Sequence, residues 1–335
     1  MDRGEVIPKT DAGIFLWMTW QAMQTLGLDC QAIFASVGMD GEAPDTNQRR
    51  INSPQARFWR AAEQVSGDPD IGLHTAERMP PFRGQVLEYL FLSSPTFEEG
   101  LYRAVRYGRL LSDALDPGVS VEGDRVRLYG FDHPVRHYLE AAVLVVVRFL
   151  GHVTDGDFLP TEIWLPHASG ASDAEYRRVF GCQVRLGMGE GAILFDRALM
   201  ARPSPAAEPE LLAVHENLAQ QRLADLERRD RIARVEQELG DLLERGDVSL
   251  ERVAERLGVT PRALKDELSE AGMPFRSLVA RYRERLARRL LARTDEPLDQ
   301  IIYLTGFSEP AAFTRAFKRW TGETPTAYRQ RRRGE

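Results

Sequence analysis

Cysteine is nearly absent from this 335-residue chain: Cys30 and Cys182 stand far apart and in no C-x-x-C spacing. Neither a disulfide framework nor a cysteine zinc site is expected, and the composition fits a reducing compartment. Long hydrophobic runs are missing as well. The longest, Ala141 to Val147, is closed off by Glu140 and Arg148 and falls well short of the roughly 18 residues a membrane span needs. Met1-Asp2-Arg3-Gly4-Glu5 has acidic residues and no apolar segment behind a basic start, so no secretory signal is read there and a cytoplasmic location is expected. Proline and glycine number only 19 and 27, and apolar residues make up 43%, which excludes global disorder. At roughly 100 to 200 residues per domain, the length suggests two domains.

A net charge of −6 conceals a division along the chain. From Arg231 onward there are 21 Lys and Arg against 17 Asp and Glu, whereas residues 1–230 carry 23 against 33. An acidic body with a basic end points to an anionic partner for that end alone, although a solvated Arg-rich helix face gives the same count.

The boundary is legible near residues 203–235. Arg202-Pro203-Ser204-Pro205-Ala206-Ala207-Glu208-Pro209 cannot continue a helix or a central strand, because its prolines remove donors and fix φ. Leu211, Leu212, Val214, Leu218, Leu223, Leu226, Ile232, Val235 and Leu239 then recur at helical spacing, which predicts a long helix or helix pair packing within one chain or between two. Before it, Ile14–Leu26 and Pro54–Val65 read as helices, the second with Ser53 as N-cap. Ser94-Pro95-Thr96-Phe97 opens another, while Arg125–Phe131, Glu162–Leu165 and Ala192–Phe195 read as strands. The expected fold is an α+β N-terminal domain (1–202, effector sensing and dimerisation), a Pro-rich connector and linker helix (203–235), and an all-α C-terminal domain (236–335).

That last segment repeats one design. Ser249 to Leu257 reads as a capped helix, Gly258 as a turn, and Thr260-Pro261 as the start of a second helix. About fifty residues later Leu298–Leu304, Gly306 and Ser308 to Lys318 repeat the pattern. Each is a helix-turn-helix. Between them Leu278, Val279, Tyr282, Leu286 and Leu290 stripe a spacer helix whose other faces are rich in arginine. From Arg276 to Arg293 that spacer is about 27 Å long, enough to set two recognition helices roughly 34 Å apart, one turn of duplex DNA. Phe307, Phe313, Phe317 and Trp320 are read as core.

The segment Gly306-Phe307-Ser308-Glu309-Pro310-Ala311-Ala312-Phe313-Thr314-Arg315-Ala316-Phe317-Lys318-Arg319-Trp320-Thr321-Gly322-Glu323-Thr324-Pro325 closely resembles the signature of the AraC-type bacterial transcription regulators. The likeness extends over about residues 232–333. The front part is similar, more loosely, to the arabinose-binding-like sensor of one branch, through Ser93-Ser94-Pro95-Thr96, Tyr176 to Val184 and Leu194 to Leu199. The resemblance implies a homodimeric regulator that binds promoter or operator DNA. It also implies DNA-facing positions at Arg262, Lys265 and Asp266 in the first unit, and at Glu309, Pro310, Ala311, Thr314, Arg315 and Lys318 in the second, with Arg319 near the backbone. Where the family usually has Arg and often a second basic residue, this chain has Asp266 and Glu267. Either the first unit reads a cytosine amino group through a carboxylate, or it contributes little and the second unit carries most of the specificity; the second alternative is favoured. Arg331-Arg332-Arg333 is expected to be a mobile basic tail.

Other constellations are weak. His133 and His137 have ligand spacing but Pro134 between them and no third ligand; Gly187 to Gly191 reads as a turn, and Asp155-Gly156-Asp157 lacks the rest of a calcium loop. No metal, cofactor or catalytic constellation is read, so the chain is not expected to be an enzyme. For a small-molecule effector, the aromatic and cationic candidates are Trp17, Phe82, Arg83, Tyr89, Tyr102, Tyr107, Tyr138, Arg148 and Trp164. Of these Arg83, Tyr89, Tyr107, Arg148 and Trp164 are singled out, the two arginines for an anionic effector unless Arg148 pairs internally, for example with Glu140. The leading reading is an effector-controlled, DNA-binding transcription regulator. A ligand-independent dimeric regulator, or an enzyme domain tethered to a DNA-binding domain, are the alternatives.

Overall fold

A computed structural model describes residues 8–334. The chain divides into two units, one through Ala224 and one from Asp225. The first opens with β1 (Thr10–Asp11), α1 (Gly13–Thr25), α2 (Cys30–Ala35) and β2 (Arg50–Ile51), β1 and β2 pairing antiparallel with Asp11 opposite Arg50. Four helices follow: α3 (Gln55–Ser66), α4 (Ile71–Arg78), α5 (Val86–Ser93) and α6 (Phe97–Arg106). Next come β3 (Gly118–Glu122), β4 (Arg125–Phe131), α7 (Arg136–Val153), β5 (Glu162–Trp164), α8 (Asp173–Phe180), β6 (Gln183–Arg185) and β7 (Gly191–Asp196).

The larger sheet has the order β3-β4-β7-β5-β6 and is antiparallel except for β5 and β6, which α8 joins in parallel. Its central strand β7 buries five successive residues, Gly191 to Phe195, as expected of a strand covered on both faces. The helix at Phe97 is fixed by Thr96, whose Oγ1 accepts from the Glu99 N–H at 3.3 Å, with Glu98 and Glu99 in its first turn and Arg103 and Arg106 in its last. For α3 the cap lies one residue later than expected: Pro54 is the N-cap and no side chain bonds the first turn. The apolar run Ala141–Val147 belongs to α7, where Leu139 and Val143 are fully buried. Both cysteines are buried and free.

α9 (Pro209–Glu244) is one continuous helix rather than a pair. Leu212, Ala219 and Leu223 pack with Val86, Leu90 and Tyr107, while Val235, Leu239 and Leu242 pack with Val253, Leu264 and Leu278. After it come α10 (Leu250–Arg256), α11 (Pro261–Glu270), α12 (Phe275–Arg293), α13 (Leu298–Leu304), α14 (Pro310–Thr321) and α15 (Pro325–Gly334). Ser249 Oγ caps α10 by accepting from the Arg252 N–H, and Thr260 Oγ1 caps α11 by accepting from the Ala263 N–H, both at 3.2 Å. The turns pass through Gly258 (φ +69°) and Gly306 (φ +70°), a backbone region that favours glycine; at Gly306 an added Cβ would also lie 2.5 Å from a Leu243 methyl. The second recognition helix departs from expectation, since its N-cap is Glu309 with no side-chain cap bond.

One further expectation is corrected here, and one alternative takes a different form. The basic C-terminal stretch is helical as α15: Arg331 pairs with Glu323 at 2.6 Å and Arg332 lies over the Tyr328 ring, while the Arg333 side chain, like Met1–Glu5, lies outside the described residues. Arg148 does not pair with Glu140. Its Nη1 donates to the carbonyls of Ala76 (2.6 Å) and Met79 (2.9 Å), where burial lowers its pKa against the opposing charge of Glu77. Glu140 is held instead by Arg136 at 3.0 Å, by His167 at 3.3 Å and by the Tyr176 hydroxyl. Burial would raise the Glu140 carboxyl, but the bonds from His167 and Tyr176 and the Arg136 charge prevail and hold it below its ordinary value.

Candidate nucleic-acid interface and effector cavity

In α14 the apolar residues Phe313, Ala316 and Phe317 fall three and four apart and are buried, so the spacing itself turns Ala311, Arg315, Lys318 and Arg319 outward. Glu309 and Pro310 are exposed at the helix start, and Thr314 is half-buried at the margin. Phe307 meets Phe313 edge-on at 5.5 Å and Trp320 at 6.1 Å, which seats the turn on the helix. Phe313 and Phe317 are core, as expected, and Phe307 and Trp320 pack against them half-buried. Arg315, Lys318 and Arg319 form no ion pair among the described residues, so α14 presents three uncompensated cations.

The first recognition helix, α11, is built alike and charged differently. Leu264 and Leu268 are buried; Arg262, Lys265 and Asp266 are exposed. Here one of the two cations has an anion one turn on: Arg262 Nε lies 3.8 Å from Asp266 Oδ2, with the side chains 93% and 63% exposed, and Lys265 forms no ion pair among the described residues. Such a pair adds little stability, but it offsets the positive charge that phosphates would meet. Glu267 faces Arg231 of α9 at 3.9 Å.

The arginines of the spacer α12 that have close partners brace the unit. Arg283 donates to the Gly306 carbonyl at 2.9 Å and lies 4.9 Å over the Phe307 ring. Arg288 reaches the Trp320 carbonyl at 3.3 Å, and Arg285 pairs with Glu236 of α9 at 2.7 Å.

The first unit holds a cavity of about 410 Å³, within the range of small-molecule sites. Its wall is mostly carbon: Phe15 of α1, Leu101 of α6, Leu128 of β4, and Ala142, Val146 and Phe149 of α7. Polar groups gather around Asp11. Its Oδ1 accepts from the hydroxyls of Ser112 and Tyr138, both at 2.7 Å, and its Oδ2 from the amides of Asn52 (2.7 Å) and Gln55 (3.3 Å). Burial, reinforced by the Asp11 charge, raises the Tyr138 hydroxyl well above its ordinary pKa and keeps it a donor. The His133 ring lies 4.2 Å from that of Tyr138, tilted by 42°, and burial lowers the His133 pKa. In the neutral form its Nε2 donates to Asn52 Oδ1 at 2.7 Å while its Nδ1 accepts from the Val135 N–H at 3.1 Å, so neither nitrogen is left for a metal. Arg50 also lines the cavity, and its buried Nε has no hydrogen-bond partner.

Of the effector candidates read from sequence, Phe82 and Tyr138 line this cavity. The five singled out lie elsewhere. Arg83 and Arg148 line a second, smaller cavity of about 220 Å³. Tyr107 is fully buried beside α9, its hydroxyl 3.4 Å from Glu216, and Tyr89 stacks on His215 at 5.3 Å. Trp164 donates to Glu162 within β5. Asp11, Ser112 and Arg50 escape sequence reasoning because their partners are scattered from residue 11 to 138; the one local trace is a charged residue in each of two very short strands.

Residues 27–204 match the family described as the arabinose-binding domain of AraC transcription regulators, N-terminal, and residues 253–331 match a helix-turn-helix domain family. The chain is 33% identical over 342 residues to the HTH-type transcriptional regulator VirS of Mycobacterium tuberculosis, with 98% of each chain covered. It is 25% identical over 312 residues to the ornithine utilization regulator of Pseudomonas aeruginosa, with 91% of each covered. Among solved structures, the transcriptional regulator CdpR of Pseudomonas aeruginosa aligns with a TM-score of 0.41 at 20% identity, over 83% of this chain and 91% of that one. With a double helix-turn-helix at one end and an arabinose-binding-type sensor domain at the other, the chain belongs to the AraC family and is a DNA-binding transcription regulator.

Proposed function

We propose that this regulator reads its operator chiefly with α14 and that a small molecule held in the 410 Å³ cavity of the sensor domain controls it. The observation that carries the reading is the contrast in charge between the two recognition helices: three unpaired cations on α14 against one, Lys265, on α11, where Arg262 is paired with Asp266 and Glu267 adds a further anion. In this scheme residues 1–202 sense and dimerise, 203–235 connect, and 236–335 bind DNA. Arg315 and Lys318 contact bases or adjacent phosphates, Arg319 the backbone, and Glu309, Pro310, Ala311 and Thr314 the groove edge. Arg262, Lys265 and Asp266 approach the neighbouring groove with little net attraction. The protein acts as a cytoplasmic homodimer, by binding rather than catalysis, and effector and DNA affinities are linked reciprocally.

The test is a salt-dependent titration of the full-length protein against its own upstream DNA and a scrambled duplex. A specific complex whose affinity falls steeply with salt, and which loses most of its specificity in an Arg315→Ala, Lys318→Ala double variant, is expected. Equal loss when Arg262 and Lys265 are replaced would reject the division of labour between the helices.

A further inference from the structure

We propose that the ligand of the sensor cavity is a single-chain amphipathic acid: a carboxylate held by Arg50, with an apolar tail along α7. This rests on the reading of the cavity as the effector site and names the class of molecule that fits it.

Hydrogen-bond accounting excludes a polyol. A sugar carries a hydroxyl on almost every carbon, and each one buried without a partner costs free energy. The cavity wall formed by Phe15, Leu101, Leu128, Val146 and Phe149 supplies no such partners. Of the polar groups that line it, those around Asp11 are engaged with one another and Thr19 Oγ1 with the Phe15 carbonyl; the unpartnered buried donors are Trp59 Nε1 and Arg50 Nε, too few for a polyol. The Asp11 carboxylate accepts four hydrogen bonds, from Ser112, Tyr138, Asn52 and Gln55, which fills its lone-pair sites. An ammonium ligand would have to displace one of these donors. The tail end of the ligand must therefore be hydrocarbon, and the head must seek something other than Asp11.

Arg50 is that partner. Directly opposed residues of an antiparallel pair share a face, so the Asp11↔Arg50 register sends both side chains to the same side, and both line the cavity. The adjacent Arg49 spends its donors inside the protein, on Thr10, Leu110 and Asp113. Arg50 has no ion pair among the described residues, and its buried Nε is unbonded. A buried guanidinium donor without a partner is costly, and a carboxylate is the group whose two oxygens match its fork. The neutral donors around Asp11 disperse its charge and lessen its repulsion of an incoming acid.

The experiment uses full-length protein and four probes: dodecanoate, dodecan-1-ol, dodecylammonium and L-arabinose, each titrated calorimetrically below any micelle concentration. Dodecanoate is expected to bind about tenfold or more tighter than the alcohol, the usual scale of a hydrogen bond to a charged group. Arg50→Gln should abolish that preference without changing alcohol affinity, and Arg50→Lys should restore part of it; near-UV circular dichroism verifies that both variants are folded. Preference for the ammonium, the alcohol or arabinose, or a carboxylate preference that survives Arg50→Gln, would overturn the assignment of the acid while leaving the cavity an effector site. Native mass spectrometry of protein purified from cells separates the two readings. A retained aliphatic acid supports the proposal, and a retained molecule of another class overturns the acid alone. No retained molecule, together with no binding of any probe to folded protein, overturns the effector reading as well.

Discussion

The two helix-turn-helix units are built from the same parts and charged differently. Each has a glycine turn at positive φ, a proline at the first position of its second helix, and its own apolar cluster, centred on Leu264 and Leu268 in one and on Phe313 and Phe317 in the other. They differ at the surface. α11 carries Arg262 against Asp266 and leaves Lys265 as its one unpaired cation, whereas α14 shows Arg315, Lys318 and Arg319 without anions. They differ also in how the helix begins, with a Thr260 cap in α11 and an uncapped Glu309 in α14. Repetition of a scaffold thus does not imply repetition of its chemistry: the core fixes where a helix stands, and a few outward residues decide what it does there.

The comparison can be broken at its base by emptying either core. Phe313→Ala should cost about 3–5 kcal/mol and Leu264→Ala about 2–5 kcal/mol in denaturant unfolding, since both are buried in separate clusters. With operator DNA the outcomes should diverge, Phe313→Ala removing sequence preference and Leu264→Ala mainly lowering affinity for any duplex. On the surface, Arg315→Ala should cost about 1–3 kcal/mol of specific binding, and Lys318→Ala should reduce the slope of log affinity against log salt by about one if it meets phosphate. The caps supply a subtler test: Thr260→Ala should destabilise by about 1 kcal/mol, while Glu309→Ser should stabilise by about 0.5 kcal/mol or more, both read from thermal melts. The smallest effect is expected from Asp266→Arg, which should tighten binding to all sequences by less than about 1 kcal/mol at moderate salt. If that variant instead loses specific binding, Asp266 reads a cytosine and the two units share the work.

Where structure was legible in the sequence, a local period or cap carried it. The helix-turn-helix pairs were readable because Ser249, Thr260, Gly258 and Gly306 each act within four residues of themselves. Strands β4, β5 and β7 were readable by alternation, but β3 has no buried residue and β6 has a single half-buried apolar residue, Val184, so neither gives a pattern to find. α7 was missed because its apolar run is the only conspicuous part of a helix that starts just after Pro134. The cavity was the least legible feature. Its polar end joins Asp11, Asn52, Ser112 and Tyr138 across the sequence, and Arg83, Tyr89, Tyr107, Arg148 and Trp164 looked suitable only by residue type.

The braces along α12 have a consequence for the promoters this protein serves. Ala287 and Leu291 root one reading head on the rod and Leu278 roots the other, while Arg283 and Arg288 tie the rod to Gly306 and Trp320. A rod with both heads fixed to it acts as a gauge of helical phase. Target sites are free to drift in the bases that lie between the two contacts, but half a turn of added DNA would carry one contact to the far side of the duplex. In the proposed scheme a promoter must then preserve two things to remain under this regulator's control, the sequence under α14 and the phase at which α11 meets the duplex.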